Sequence, residues 1–443
     1  MKEVISVELP DFPKGLEFED FIAAYFQSVG FFVEKNISIE NILQLDISLT
    51  DYTNLPNTKL VEIKSGEWEF KDVFKVKGWM VFSNINEGLF IVQKGRQNFD
   101  FYRSIADDMG IQLLTVPDLK LTNEYLANPL CDRYADDVDV ETFRYVFWME
   151  REYLRLLKAW KNSDKSKKRY RSLEDYYFDI NCKSYFSKDL TSKTKCLYES
   201  YDQNFHISAK CASEIIGKDF NTDQTTIPES IFKDTFYSCK FNILQISAYL
   251  EHQSRLRLLK CAVDFLLYNE EGDKSLGEKK LTVPINLMKF TFLPSSFLSA
   301  LDKLKDHSHF KLYPIFWQWF LLAFGGFIIM DIKDKEYELL SLKTRVPIAE
   351  IDNALCAFDI LFPIEGGWFQ TNGYSNIKEL KISSMPIRGI GANYRRLVYA
   401  KKENLKEQTY EDLHIDNPYA LKDLKKWNNL GVDVLYKAKP INN

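Results

Sequence analysis

The sequence predicts an α/β domain with a mixed sheet flanked by helices at its amino-terminal end, then a mainly α-helical region. Three observations carry this. In the first 120 residues short β-type runs alternate with helical stripes. From about Asp137 the pattern turns to long amphipathic helices. The last third then reads helix, turn, helix, hairpin. The boundaries divide the chain into 1–120, 121–310 and 311–443.

In the first domain, "GLEFEDFIAAYFQSVG" places Leu16, Phe18, Ile22, Tyr25, Phe26 and Val29 on one helical stripe, and Gly30 closes it. "FFVEKNI" and the alternating "ILQLDISLTD" are strands, and "KLVEIK" is a third. "FKDVFKVKGWMVFSN" predicts a helix, "GLFIVQK" a buried strand, "NFDFYRSIADDMG" a helix ended by Gly110, and "IQLLTV" a last strand. Helix, three strands, helix, strand, helix, strand is a hairpin-like half followed by a crossover half.

"VETFRYVFWMEREYLRLLKAW" and "FNILQISAYLEHQSRLRLLKCAVDFLLYN" predict two long helices in the middle region. "YPIFWQWFLLAFGGFIIM", Tyr313 to Met330, approaches the length of a membrane span. Gln318, the Gly325-Gly326 pair and the lack of a strongly basic flank favour a buried core helix instead. "KEYELLSLKTRVPIAEIDNALCAFDIL" reads as two short helices joined by a turn around Lys343 to Val346, with Pro347 near the first turn of the second. A hairpin comes next, with its turn near Asn372-Gly373. This order matches a winged-helix or interaction domain.

Of the 443 residues, 45% are hydrophobic and 15% aromatic, which suits a globular chain with aromatic cores. No low-complexity tract or fixed-period repeat is present. The opening "MKEVISVELPDFP" lacks the features of a signal peptide, and the seven scattered cysteines show no CxxC. A cytoplasmic protein with reduced cysteines and no membrane anchor is expected. The net charge of −5 is uneven: residues 1–120 hold 12 Lys/Arg against 19 Asp/Glu. Residues 151–171 hold nine basic and two acidic side chains, and residues 388–406 six and one. The acidic domain suits cations, and the basic patches suit a polyanion.

The chemistry concentrates at "LVEIKSGEW", Leu60 to Trp68. Glu62 and Lys64 have equal parity, so on a strand they share a face. A surface ion pair is one reading, and it would contribute little. The other is a metal site. Asp46, between apolar Leu45 and Ile47 on the preceding strand, would be buried on one face and needs a partner. Strands about 4.8 Å apart let Asp46 and Glu62 converge on one cation. A hard divalent ion takes one or two carboxylates, waters and phosphate oxygens, and the Ile63 carbonyl adds a ligand. Lys64 would then orient a water and offset charge developing at phosphorus. Glu19, at the border of the buried side of the first helix, points at the same centre, whereas its rival Glu17 lies on a different face. Gln93, after the fourth strand, lines the site.

On "GLEFED", "LQLDI", "VEIK" and "GLFIVQKG…IADDMGIQLLTV", residues 15–116 resemble the restriction-endonuclease-like PD-(D/E)XK nuclease superfamily, with the Mrr-like nucleases of bacterial defence as the nearest flavour. "LQLD" departs from the pattern in lacking the proline of the name. The resemblance implies Asp46 and Glu62 as metal ligands, Lys64 as the catalytic lysine, Glu19 as an accessory acid, and Mg²⁺ or Mn²⁺ as cofactor. It further implies a metal-dependent DNA endonuclease in antiviral defence, with a helicase-like NTPase partner. The chain carries no phosphate-binding G-x-x-x-x-G-K-[ST] loop of its own.

Elsewhere, Lys167, Lys168, Arg169 and Arg171 with Tyr170, and Arg395 and Arg396 with Lys401 and Lys402, are candidate nucleic-acid contacts. A solvated loop explains them equally. The five histidines are dispersed, and "HSH" at His307 and His309 shows no third ligand nearby. A DNA endonuclease regulated by an assembly, with a second copy or another protein supplying basic surface, is the leading expectation. The alternatives are a nuclease-like scaffolding subunit and a nuclease that cuts RNA.

Overall fold

The computed structural model describes residues 11–39, 43–131, 133–162, 243–270, 295–330, 333–363, 367–372 and 377–380. The first domain runs α1 (Leu16–Ser28), β1 (Phe32–Ile39), β2 (Leu43–Asp51), β3 (Asn57–Lys64), α2 (Lys71–Ser83), β4 (Glu87–Val92), α3 (Phe99–Asp108), β5 (Ile111–Thr115). This is the element order that the periodicity predicts. The strands form one sheet in the order β1-β2-β3-β4-β5. The first two pairings are antiparallel, and β3–β4 and β4–β5 are parallel.

Both faces of the sheet are covered, which is what parallel strands require. Val61, Ile63, Leu89 and Ile91 join one apolar core with α1. Leu60, Phe90, Val92 and Leu113 join the other, built around Trp68, Val73, Val76 and Met80. Gly88 allows α2 its close approach to β4: a Cβ there would lie 2.7 Å from the Met80 sulfur.

One departure from strict alternation matters for the site. Leu45 and Ile47 have the same parity, yet Ile47 enters the first core and Leu45 the second. The expectation of a single buried face around Asp46 is therefore corrected. In β1 the change of side occurs between Val33 and Ile37, around Asn36, whose φ is +54°. A left-handed residue in a strand rotates the residues after it, and asparagine tolerates that conformation. The pairs Lys35–Ile47 and Ile37–Leu45 bracket this point, so Asp46 sits at the pivot of β2.

The remainder contributes α4 (Thr122–Leu130), α5 (Asp137–Asn162), α6 (Ile243–Glu270), α7 (Ser295–Lys305) and α8 (Tyr313–Leu322). Then come β6 (Phe327–Ile329), α9 (Lys333–Thr344), α10 (Ile351–Leu361), β7 (Phe369–Asn372) and β8 (Ile377–Leu380). The hairpin β7–β8 is joined by β6 in a small antiparallel sheet, order β6-β8-β7. Arg345, at φ +64°, makes the turn between α9 and α10. The first core continues from α1 through α5, α6, α8 and α10.

The apolar stretch from Tyr313 becomes a ten-residue helix, α8, with every side chain buried. Among the described residues no helix is long and apolar enough to cross a membrane. Gln318 on α8 is bonded to the sheet. Its Oε1 accepts from the Val33 amide at 3.1 Å, and its Nε2 donates to the Val33 carbonyl at 2.7 Å. One side-chain amide thus imitates a ladder rung on β1, the edge strand.

Candidate active site

The site lies at the carboxyl end of β3. The β2–β3 pairing ends at Ile47–Val61, whereas β3 stays paired to β4 as far as Lys64–Val92. The last three residues of β3 are thus open on the β2 side. Asp46, turned at the pivot of β2, fills part of that gap: its Oδ2 accepts a hydrogen bond from the Ile63 amide at 2.9 Å. The N–H and C=O of one strand residue face the same side, so the Ile63 carbonyl also faces the opening. Lys64 agrees with this alternation, since its carbonyl accepts from the Gln93 amide on the β4 side at 2.9 Å.

Glu62 is only 1% exposed. That rules out a solvated surface pair. Its Oε1 receives the Lys64 ammonium at 2.7 Å and the Lys75 ammonium at 3.1 Å. Its Oε2 is buried with no hydrogen-bond partner. A buried carboxylate oxygen left in this way is costly, and a ligand or cation placed there would be stabilised.

The start of α1 is tied to the turn after β3, where the Gly15 amide donates to Ser65 Oγ at 2.6 Å. This brings Glu19 to the same corner. Burial raises its pKa. Lys35 and Lys64 oppose the rise, and Asp20 and Glu62 add to it. The Asp46 carboxyl is pushed up to about 7 by burial, then by Glu62 and Glu19, against the Ile63 amide and Lys64. Burial works against the charge of Lys64, yet the hydrogen bond and charge of Glu62, with Asp46 and Asp72, raise its pKa. Three carboxyls thus repel one another at this corner, and a divalent cation would relieve that repulsion.

Among the described residues no three His, Cys, Asp or Glu side chains converge closely enough to hold a metal ion together. Glu19, Asp46 and Glu62 therefore do not form a three-carboxylate cage. Asp46, Glu62 and the Ile63 carbonyl remain, which suits an ion that keeps several of its waters, as Mg²⁺ does. The unpartnered Glu62 Oε2 is the observation that fits such an ion.

Of the residues singled out in the sequence, Glu19, Asp46, Glu62 and Lys64 come together, with half-buried Gln93 at the edge. Glu17 is turned away to Arg151. Lys167, Lys168, Arg169, Arg171, Arg395 and Arg396, with Tyr170, Lys401 and Lys402, lie outside the described residues. His307 is engaged with the Tyr313 hydroxyl at 2.9 Å and His309 with Ser308 at 2.8 Å. Sequence reasoning misses Lys75. Its one sequence signal is Trp79 four residues on, over whose ring its ammonium sits at 4.2 Å from the centroid.

Comparison of the chain with family models, curated proteins and solved structures finds no match.

Proposed function

We propose that the five-stranded domain is a restriction-endonuclease-like nuclease that hydrolyses phosphodiester bonds of DNA with Mg²⁺ or Mn²⁺. The observation that carries this is Glu62: buried, bridged to Lys64 through one oxygen, unpartnered at the other, and beside Asp46 at the splayed end of β3.

Asp46, Glu62 and the Ile63 carbonyl would hold the ion. When bound, the ion supplies Lewis-acid stabilisation of the phosphate and lowers the pKa of an attacking water. Lys64, kept protonated by its acidic neighbours, donates to that water or to a phosphate oxygen and offsets charge developing there. Glu19, a carboxyl set back from the ion, accepts a hydrogen bond from water in the same corner.

The acidic balance of residues 1–120 opposes binding of DNA by this domain alone. We therefore place DNA binding in an assembly, through the α9–α10 and β7–β8 unit read as a winged helix, a second copy, or an NTPase partner in bacterial defence. The same balance favours, as second reading, a nuclease-like scaffold.

The deciding experiment is cleavage of supercoiled plasmid, single-stranded DNA and RNA with Mg²⁺ or Mn²⁺ against EDTA, for wild type and Lys64→Ala. Metal-dependent cutting that is lost in the variant supports the nuclease, and the substrate cut separates DNA from RNA. Equal cutting by both proteins refutes the site. Absence of any Mn²⁺ binding in a titration of the wild type favours the scaffold.

A further inference from the structure

Lys75 has no role in the metal chemistry proposed for this corner. A buried carboxylate needs one counter-charge, and Lys64 supplies it from the same strand at 2.7 Å. Lys75 brings a second ammonium, from α2, to the same Oε1 at 3.1 Å. One oxygen is then shared by two cations while Oε2 makes no hydrogen bond. The Lys75 side chain is 44% exposed, so burial does not confine it there. In the same position it lies over the indole of Trp79, 4.2 Å from the ring centroid. An ammonium resting on an aromatic face keeps part of its stabilisation after it leaves a carboxylate.

Resting on the metal reading of this site, we propose that Lys75 is a displaceable counter-ion: it occupies Glu62 when no divalent ion is present and is released to the site's mouth when one binds. A divalent ion on Glu62 faces the Lys75 ammonium with twice its own charge, at a separation where like charges repel strongly. Lys64 is confined by its strand between Glu62 and Asp46. Lys75, more exposed and borne on α2, can turn its ammonium to solvent across the Trp79 face. Binding of the ion thus carries the cost of displacing Lys75. The freed ammonium stands where the negative phosphates of a substrate would enter.

The test is Mn²⁺ binding by the full chain, measured by calorimetry or by paramagnetic resonance of the free ion at fixed pH and ionic strength. Lys75→Met is expected to tighten Mn²⁺ binding about three- to tenfold, since the competitor is gone. Lys75→Arg, which keeps the charge, is expected to stay near wild type. Lys77→Met is the control for net charge. It removes an ammonium from the same helix, but one that donates to the Met109 carbonyl at 2.7 Å, away from the site. Unchanged or weaker binding by Lys75→Met overturns the proposal, and so does equal tightening by Lys77→Met. Wild-type binding that is lost in Glu62→Gln but unmoved in Lys75→Met leaves the metal site standing and removes only the displaceable lysine. No Mn²⁺ binding by the wild type overturns both.

Discussion

Two buried lysine–carboxylate groups lie beside the same sheet, and their difference separates structure from chemistry. Lys35 on β1 pairs with Asp20 on α1, both nearly inaccessible. Each Asp20 oxygen faces a cation, Oδ1 the Lys35 ammonium and Oδ2 the Arg151 Nε at 2.6 Å, although Oδ2, like Glu62 Oε2, makes no hydrogen bond. Arg151 also pairs with Glu17, and Phe147 lies under the Lys35 ammonium at 4.2 Å. That group is held by cations from two further elements, β1 and α5. At Glu62 the carboxylate is equally buried, but both of its lysines reach solvent and one oxygen has no partner. Ion pairs from two buried elements make the Asp20 charge a strut, whereas the solvent-reaching lysines and open strand end at Glu62 support the proposal that it is a binding position.

The sharpest test of this contrast is to neutralise one carboxylate of each kind. Glu62→Gln or Lys64→Ala is expected to reduce metal-dependent cleavage by about two to three orders of magnitude, measured on plasmid, with a melting temperature close to wild type. Asp20→Ala should do the reverse. It strands Lys35 and Arg151 without their shared counter-charge, at a cost of about 3–5 kcal/mol in urea unfolding. Comparable loss of stability in both variants would erase the distinction.

A smaller effect concerns pH. The Asp46 carboxyl is held at about 7 in the folded protein against an ordinary 3.8. The unfolded chain therefore releases this proton first as pH rises. The stability linked to protonated Asp46 is fully present below about pH 4 and is lost as pH climbs through 7. Metal-free wild type is expected to lose stability across that interval relative to Asp46→Asn, with denaturant midpoints as the measure. Parallel curves would remove burial and carboxylate repulsion as the cause.

The smallest effect is at the closed edge. Gln318→Leu removes both bonds to Val33 and leaves its N–H and C=O unpaired under α8, for a loss of about 1–3 kcal/mol. Cleavage by the surviving folded fraction should be unaltered, since Gln318 is remote from Glu62.

Much of this fold is legible in the chain. The α1 stripe closed by Gly30, the three strands, and the crossover helices with Gly110 come from period and punctuation, which are local properties. Glu62 and Lys64, two residues apart on a strand, have to share a face. The pairing of Asp46 is harder to see. Alternation predicts one buried side around it, and the left-handed Asn36 in the neighbouring strand breaks that alternation. Lys75 and Gln318 carry almost no signal. One is a lysine on an ordinary amphipathic helix, and the other lies 285 residues from the strand it caps.

Local pattern is therefore enough for the order of elements and for the residues that gather at the candidate site, because periodicity and side-chain type act over a few residues. Which carboxylate is flanked by buried cations, and which is met by solvent-reaching lysines, depends on long-range packing. The deciding partners, Arg151 for Asp20 and Lys75 for Glu62, come from helices that meet the sheet only after the chain has folded.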